Sequence, residues 1–393
     1  AGDINSEWLD VRGPTGTPYA STISFDPVRE AYGVVLRLEQ RLPAFHEGAY
    51  VAVTVPVCKV RHSLGLSEVK KTGVTADVSS GFTSILDSLE SPNRRAARMS
   101  TASLTLWGSD DVLVQLGMNF DLGGRGGQAR SFVEGIVPTG ESSSGTYLFE
   151  PVQGSAGHAG VGFGVEGCLP MVQVPGLAVW LVSQIHYRSL FASTQLRTPD
   201  LRGQAFSRYL VYMDVAQAGG INFATKAAQG ANFFTRPALV QPGGQGEILQ
   251  GVRCAFGAQQ AHVVQLGYAY WWRQGETAHF ATAADRFFAT PLYGNLAPLA
   301  AQQWLPSPLI NEAFIASDSS ATTDSAIVYD HELDVASMTA PSTATHQLQL
   351  SLQTTLPADA WKVVLETGGA YEWADNYATI NSWTWWGRVS LQW

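Results

Sequence analysis

Apolar and polar side chains alternate at every second position through a dozen stretches of this chain. Between 32 and 42, Val34, Leu36, Leu38 and Leu42 share one face, and Arg37, Glu39 and Arg41 share the other. Between 49 and 58, Val51, Val53, Val55 and Val57 oppose Ala52, Thr54 and Cys58, and a short turn joins the two stretches. The rhythm returns at 110–122, 158–169, 177–188 and 347–356, and more weakly at 128–138, 205–215, 247–256, 261–273 and 361–373. It closes the chain at 383–393. A period of two marks a strand with two unlike faces. Twelve such segments in series predict an all-β chain built as an antiparallel meander.

A soluble sandwich also alternates, so other features must choose the architecture. The segments run to about 10–12 residues, which matches the ~9–11 of a tilted membrane strand and exceeds the usual ~5–6. The second face carries Arg, Glu and Gln at mid-strand, as a wet interior would. Aromatics crowd strand ends: Tyr268, Tyr270, Trp271 and Trp272 close one segment, and Trp383, Trp385 and Trp386 open the last. Aromatic girdles of this kind belong to membrane barrels. The expectation is a transmembrane antiparallel up-and-down β-barrel of about 12 strands. Residues 19–25 and 326–335 supply the alternative of 14.

Two stretches interrupt the meander. In 62–100 the alternation stops, and Phe82, Ile85, Leu86 and Leu89 fall on one helical face with charges on either side. Residues 274–342 are rich in Pro, Ala, Ser and Thr. Both read as insertions within a single domain covering 1–393. The first is a candidate constriction or plug, with Lys70, Lys71, Arg94 and Arg95 as its charges, or else an external cap. The second is a long loop.

Composition narrows the classes further. Of 393 residues, 15% are charged, against roughly 25% in an average soluble domain. Aromatics reach 11%, which excludes intrinsic disorder. Net charge is −9 and no basic stripe exists, so nucleic acid is not an expected partner. The three cysteines, Cys58, Cys168 and Cys254, are too few for a disulfide framework, though one pair among them remains open. The start, Ala1-Gly2-Asp3, reads as the trimmed product of a signal peptidase. No apolar run approaches the ~18–20 residues of a membrane helix.

The final residues carry a resemblance. Trp385, Gly387, Val389, Leu391 and Trp393 share a face, and a terminal aromatic after alternating apolar residues resembles the β-signal of bacterial outer-membrane proteins. That family usually ends in Phe, with its Gly nearer the end. The resemblance implies that Val389, Leu391 and Trp393 are read by the barrel-assembly machinery. A looser likeness covers about 30 residues: Val137 to Gly140, Phe149, Pro151, Gly154 and His158 to Gly164 look like the strand-loop-strand of porin-like and solute-channel families of Gram-negative bacteria. It implies an outer-membrane location, contact with lipid and lipopolysaccharide, and a homotrimer or a monomer.

In a barrel the inward charges are the candidate pore-lining residues: Arg37, Glu39, Arg41, Arg130, Glu134, Glu166, Arg188, Arg208, Arg253 and Glu366. Rings of fixed charge bias which ions pass. The plain alternative is that they pair as struts across a narrow lumen. The carboxylates of Asp330, Glu332 and Asp334, beside His331, offer hard oxygen ligands but lack the glycine turn of a calcium loop, so no metal is expected. No HExxH, GxSxG or P-loop spacing appears, and neither enzymatic activity nor a cofactor is expected. Three functions stay open: a porin passing small hydrophilic solutes or ions, a structural or surface-interaction barrel with a blocked lumen, and a soluble secreted protein binding carbohydrate through its 12 Trp.

Overall fold

The computed structural model describes residues 20–72, 84–91, 94–123, 126–209, 211–214, 227–257, 260–280, 289–291, 332–357, 362–375 and 381–392. The alternating segments build one large antiparallel sheet: β1 Val28–Arg41, β2 Ala49–Ser63, β3 Leu104–Ser109, β4 Val112–Asp121, β5 Gln128–Val137, β6 Gly160–Val174, β7 Leu177–Leu190, β8 Gln245–Phe256, β9 His262–Arg273, β10 Thr343–Pro357, β11 Lys362–Ala374 and β12 Ser382–Gln392. β3 and β4 follow each other along the same neighbour, β2, and occupy one place. The sheet is therefore eleven strands wide, with its strands adjacent in chain order, and it curls into a half-barrel.

The turn-end connections are all short, and four of the five at the loop end are long. At the turn end they are 42–48, 122–127, 175–176, 257–261 and 358–361. The tightest joins Val174 to Leu177 through Pro175 and Gly176. Proline presets the first turn position, and Gly176 takes the left-handed φ of +80° that the second requires. At the loop end lie the long connections 64–103, 138–159, 191–244 and 274–342, and the short 375–381.

The alternation sorts faces as the sequence predicts. Leu36, Leu116 and Leu350 point outward, 63%, 57% and 49% exposed, while Gln115 and Glu134 on the other face are buried. No second layer covers the apolar face among the described residues. The inner face holds only a small apolar cluster of Tyr50, Ala52 and Phe132. Outward aromatics form a band at the loop end of β9–β12. Tyr371 meets Trp383 with ring centres 4.5 Å apart, and His346 stacks on Trp373 at 5.5 Å. Tyr268 Oη lies 2.5 Å from His346 Nδ1, and His346 Nε2 lies 2.6 Å from Asp375.

The larger apolar clusters sit at the loop end. Strands Ser193–Arg197, Arg236–Gln241 and Thr277–Phe280 pair in the same order as β7, β8 and β9, and so carry that part of the wall beyond the sheet. Behind them Ala238, Val240 and Met338 pack together. Helix α1, Ile85–Glu90, starts where Ser84 Oγ accepts from the Asp87 amide at 3.0 Å. Its Ile85 and Leu89 pack with Leu66, Met99 and Tyr209, joining the insertion after β2 to the segment after β7. Of the expected helical face, Phe82 lies outside the described residues.

One expected wall strand is corrected. Residues 205–215 do not join the large sheet. Ser207–Tyr209 is a 3-10 turn, and Val211–Asp214 pairs with Ala227–Gln229 in a separate small sheet. Phe206 has φ +67° and Gly203 φ +72°, so an extended strand cannot run into Arg208. Eleven of the twelve expected segments thus lie in the sheet. Ala20–Ser24 is a strand, but it pairs with Ser67–Thr72 outside the sheet. Residues 326–331 lie outside the described residues.

Candidate functional site

The inward charges of β1–β7 converge on one network. Arg37, on β1, donates to Glu39 at 3.2 Å and to Gln115 Oε1, on β4, at 2.9 Å. The Gln115 amide donates to Glu134 Oε2, on β5, at 2.8 Å. Arg188, on β7, donates to Glu134 Oε1 at 2.8 Å, and His186 Nε2 stands 3.3 Å from the same oxygen. Arg130, on β5, bonds Glu39 at 2.8 Å and lies over the Tyr50 ring at 3.8 Å while donating to its hydroxyl. A carboxylate with a fully buried side chain, Glu134, is stable here because it accepts charge-assisted bonds on both oxygens.

Glycines make this geometry possible. Arg188 and Glu134 sit on β7 and β5, with β6 between them. β6 presents Gly160, Gly162 and Gly164 inward, leaving a trough. A methyl group on Gly162 would lie 3.2 Å from Arg188 Cγ and 3.4 Å from Glu134 Oε1. One on Gly164 would collide with the Phe132 ring. Long side chains from β7 therefore lie flat across β6 and reach β5.

The structure brings Arg37, Glu39, Arg130, Glu134 and Arg188 together, and Glu166 stands opposite Arg130 in the register. Arg41 stands opposite Tyr50 at the turn end. Arg253 and Glu366 are elsewhere on the wall: Arg253 donates to Gln265 at 3.0 Å, and Glu366 lies 3.9 Å from Arg388. Arg208 is not on the wall. It is buried at the loop end in a two-pronged pair with Asp200, at 2.9 and 2.7 Å. Burial alone would lower its guanidinium, and the bonds to Asp200 raise it above the ordinary value. Tyr50, Gln115 and His186 were not among the candidates, although each has the same inward parity as the charges they bind.

The expected constriction charges separate. Lys70 and Lys71 lie on the strand paired with Ala20–Ser24. Arg95 is exposed, and its amide donates to Asn232 at 2.6 Å. Arg94 is fully buried, 4.8 Å from the Tyr209 ring centre, and bonds the Ser88 carbonyl at 3.3 Å. Burial takes its guanidinium down to about 10 and pushes the Tyr209 hydroxyl up to about 12. A side chain packed in this way holds the loop end together and presents no charge to a water-lined passage.

Val389 and Leu391 face outward on β12, 70% and 53% exposed, and Trp393 lies outside the described residues. The three cysteines are free thiols. Among the described residues no cluster of three or more His, Cys, Asp or Glu could hold a metal, and no helix is long and apolar enough to cross a membrane. No family model matches the chain, and no curated protein proves similar to it.

Proposed function

We propose that the chain crosses the outer membrane of a Gram-negative bacterium as a closed β-barrel and passes small hydrophilic solutes or ions by passive diffusion. The observation that carries this reading is the inversion of the sheet: its outward face is apolar on all eleven strands, and its inward face carries a hydrogen-bonded charge network. In water an apolar belt that runs uncovered across every strand would be out of place, because the largest apolar patch on a typical soluble monomer is ~300–600 Å². In hydrocarbon it is the expected surface, because strands that close on themselves satisfy their own backbone groups. Strands of 14 and 15 residues, such as β1, β2, β6 and β10, are long enough to cross and project beyond. The aromatic band at the loop end suits the interface with headgroups.

In this reading the short turns face the periplasm and the loop-end assembly faces outward, against lipopolysaccharide. The assembly machinery reads β12, and either a trimer or a monomer is compatible with it. Purified protein in planar bilayers should show discrete conductance steps. Folded, inserted protein that never conducts refutes the pore and leaves the barrel.

A second reading is favoured by one observation. Helix α1 and residues 94–101 are tied into packed structure at the loop end, through Tyr209, Asn232 and the 145–148 loop. A lumen closed there would make the protein a surface scaffold. Deleting 84–101 should raise conductance if the segment plugs a pore, and should only weaken folding if it is scaffold.

A further inference from the structure

We infer that the outward wall of β1–β3 carries a binding site for the phosphate of an outer-leaflet lipid headgroup, with Lys59 as its main donor and Arg61 beside it. The inference rests on the membrane reading above and adds to it a particular place where lipid is held. Residues directly opposite each other on neighbouring strands share a face, so the register assigns each wall position to one side. Of the Asp, Glu, Lys and Arg residues described on the strands of the large sheet, only Glu30, Lys59 and Arg61 take outward positions. All three lie together, toward the loop end of β1 and β2.

Their level on the wall is that of an interface. Tyr32, Lys59 and Trp107 form one row across β1, β2 and β3, and Glu30, Arg61 and Thr105 form the next row toward the loop end. On the turn side of Lys59 the wall is apolar, beginning with Val34 and Val57. Lys59 follows ten residues of β2, Ala49–Cys58, which matches the ~9–11 that a tilted strand needs to cross hydrocarbon. Tyr32 and Trp107 are 64% and 65% exposed beside it, as aromatics at a headgroup boundary are. The charges here do not cancel. Arg61 takes the one outward acid, Glu30, at 3.3 Å, and also donates to Ser103 Oγ at 3.0 Å. Lys59 is left with the Trp107 ring, its Nζ 5.9 Å from the ring centre. An ammonium where hydrocarbon ends attracts an anion, and phosphate is the anion that a lipid headgroup offers at that depth.

Folded full-length protein in nonionic detergent is titrated with phosphorylated lipid A and with lipid A stripped of its phosphates, and native mass spectrometry reads the bound lipid. Inorganic phosphate is added as a competitor. The expected result is binding of the phosphorylated lipid that Lys59→Met weakens about tenfold, the loss of one charge-assisted bond. Lys59→Arg should restore it, and Glu30→Gln should tighten it by releasing Arg61. Lys362→Met, which removes an inward cation at the turn end of β11, should leave it unchanged. Equal binding of the stripped lipid means that acyl chains alone hold to the wall, and overturns the inference. Displacement by millimolar inorganic phosphate makes this a site for the free ion, and overturns the lipid assignment. Equal losses in Lys59→Met and Lys362→Met report net charge only, and also overturn it. Where Lys59→Met does not fold, Glu30→Gln decides, and binding that fails to tighten refutes the site. Retention in alkaline carbonate tests the membrane reading separately: retained protein without phosphate-dependent binding sinks the site alone, and released protein sinks both.

Discussion

Leu350 and Gln349 decide which solvent meets the outer wall. Leu350 is the central residue of β10 and points outward, half exposed, whereas Gln349 points inward beside Gly267. If hydrocarbon surrounds the wall, an arginine at this depth costs about 2–4 kcal/mol. Each 1.4 kcal/mol is a factor of about ten in the folding equilibrium, so Leu350→Arg should lower that constant by roughly 30-fold to nearly 1,000-fold. If water surrounds the wall, exchanging one exposed side chain for another should stay within about 0.5 kcal/mol. Gln349→Arg, one residue away and facing inward, serves as the control and should also stay near that limit. Reversible urea titrations in phospholipid vesicles, followed by tryptophan fluorescence, read both values. A Leu350→Arg cost under about 0.5 kcal/mol, with Gln349→Arg the more damaging, would turn the sheet inside out and end the membrane reading.

Two further predictions concern the inner network and the loop end. Arg188→Met should cost about 1–3 kcal/mol in the same titration, because it strips a charged donor from the buried Glu134 carboxylate. Arg253→Met, which loses only a bond to Gln265, should stay within about 0.5 kcal/mol, and equal costs would contradict the network. At the loop end, burial holds the His158 imidazole below its ordinary value, and its Nδ1 must carry the proton because it faces the Phe191 carbonyl at 2.8 Å. Unfolded, the ring protonates near pH 6.5, so loop-end stability should be complete above that pH and decline as pH falls toward the folded pKa, by at most about 1.4 kcal/mol per pH unit. Limited proteolysis should nick the loop end faster at pH 5 than at pH 7, and His158→Gln should flatten that difference; an unchanged pH response in the variant would exonerate His158.

The wall was legible because a strand writes its two environments into successive residues. Val34 to Leu38 against Arg37 and Glu39 identify both faces without any knowledge of neighbours. The segment 205–215 misled for the same reason: a weak alternation around Arg208 satisfies the pattern, while the left-handed Phe206 and the pairing of Arg208 with Asp200 depend on chain far away in sequence. Arg94 is a similar case. Its flanking charges suggest a constriction or plug, and only the packing of Tyr209 from another connection shows that it is buried. Parity found the inward charges, but it could not show which would meet. That depends on register, which sets Gln115 opposite Glu134, and on the absence of side chains along β6.

The glycines of β6 bear on how a pore of this kind would choose its solutes. Without side chains at Gly160, Gly162 and Gly164, the long residues of β7 fold down onto the wall instead of standing into the lumen. In the pore reading the passage gains width there, and the charges of the network are paired with one another. Arg37, Arg130 and Arg188 are balanced by Glu39, Glu134 and Glu166, three against three, so the middle of this half of the wall projects little net field. In the pore reading, charge-based discrimination then comes from groups outside the network, among them Arg253, which bonds Gln265, and Glu366, 3.9 Å from Arg388. Arg41 stands at the turn end, and Arg29, Glu247 and Glu372 stand toward the loop end, where they interact electrostatically. In the pore reading, the β1–β7 part of the middle sets width, and the charges outside its balanced network set ion preference.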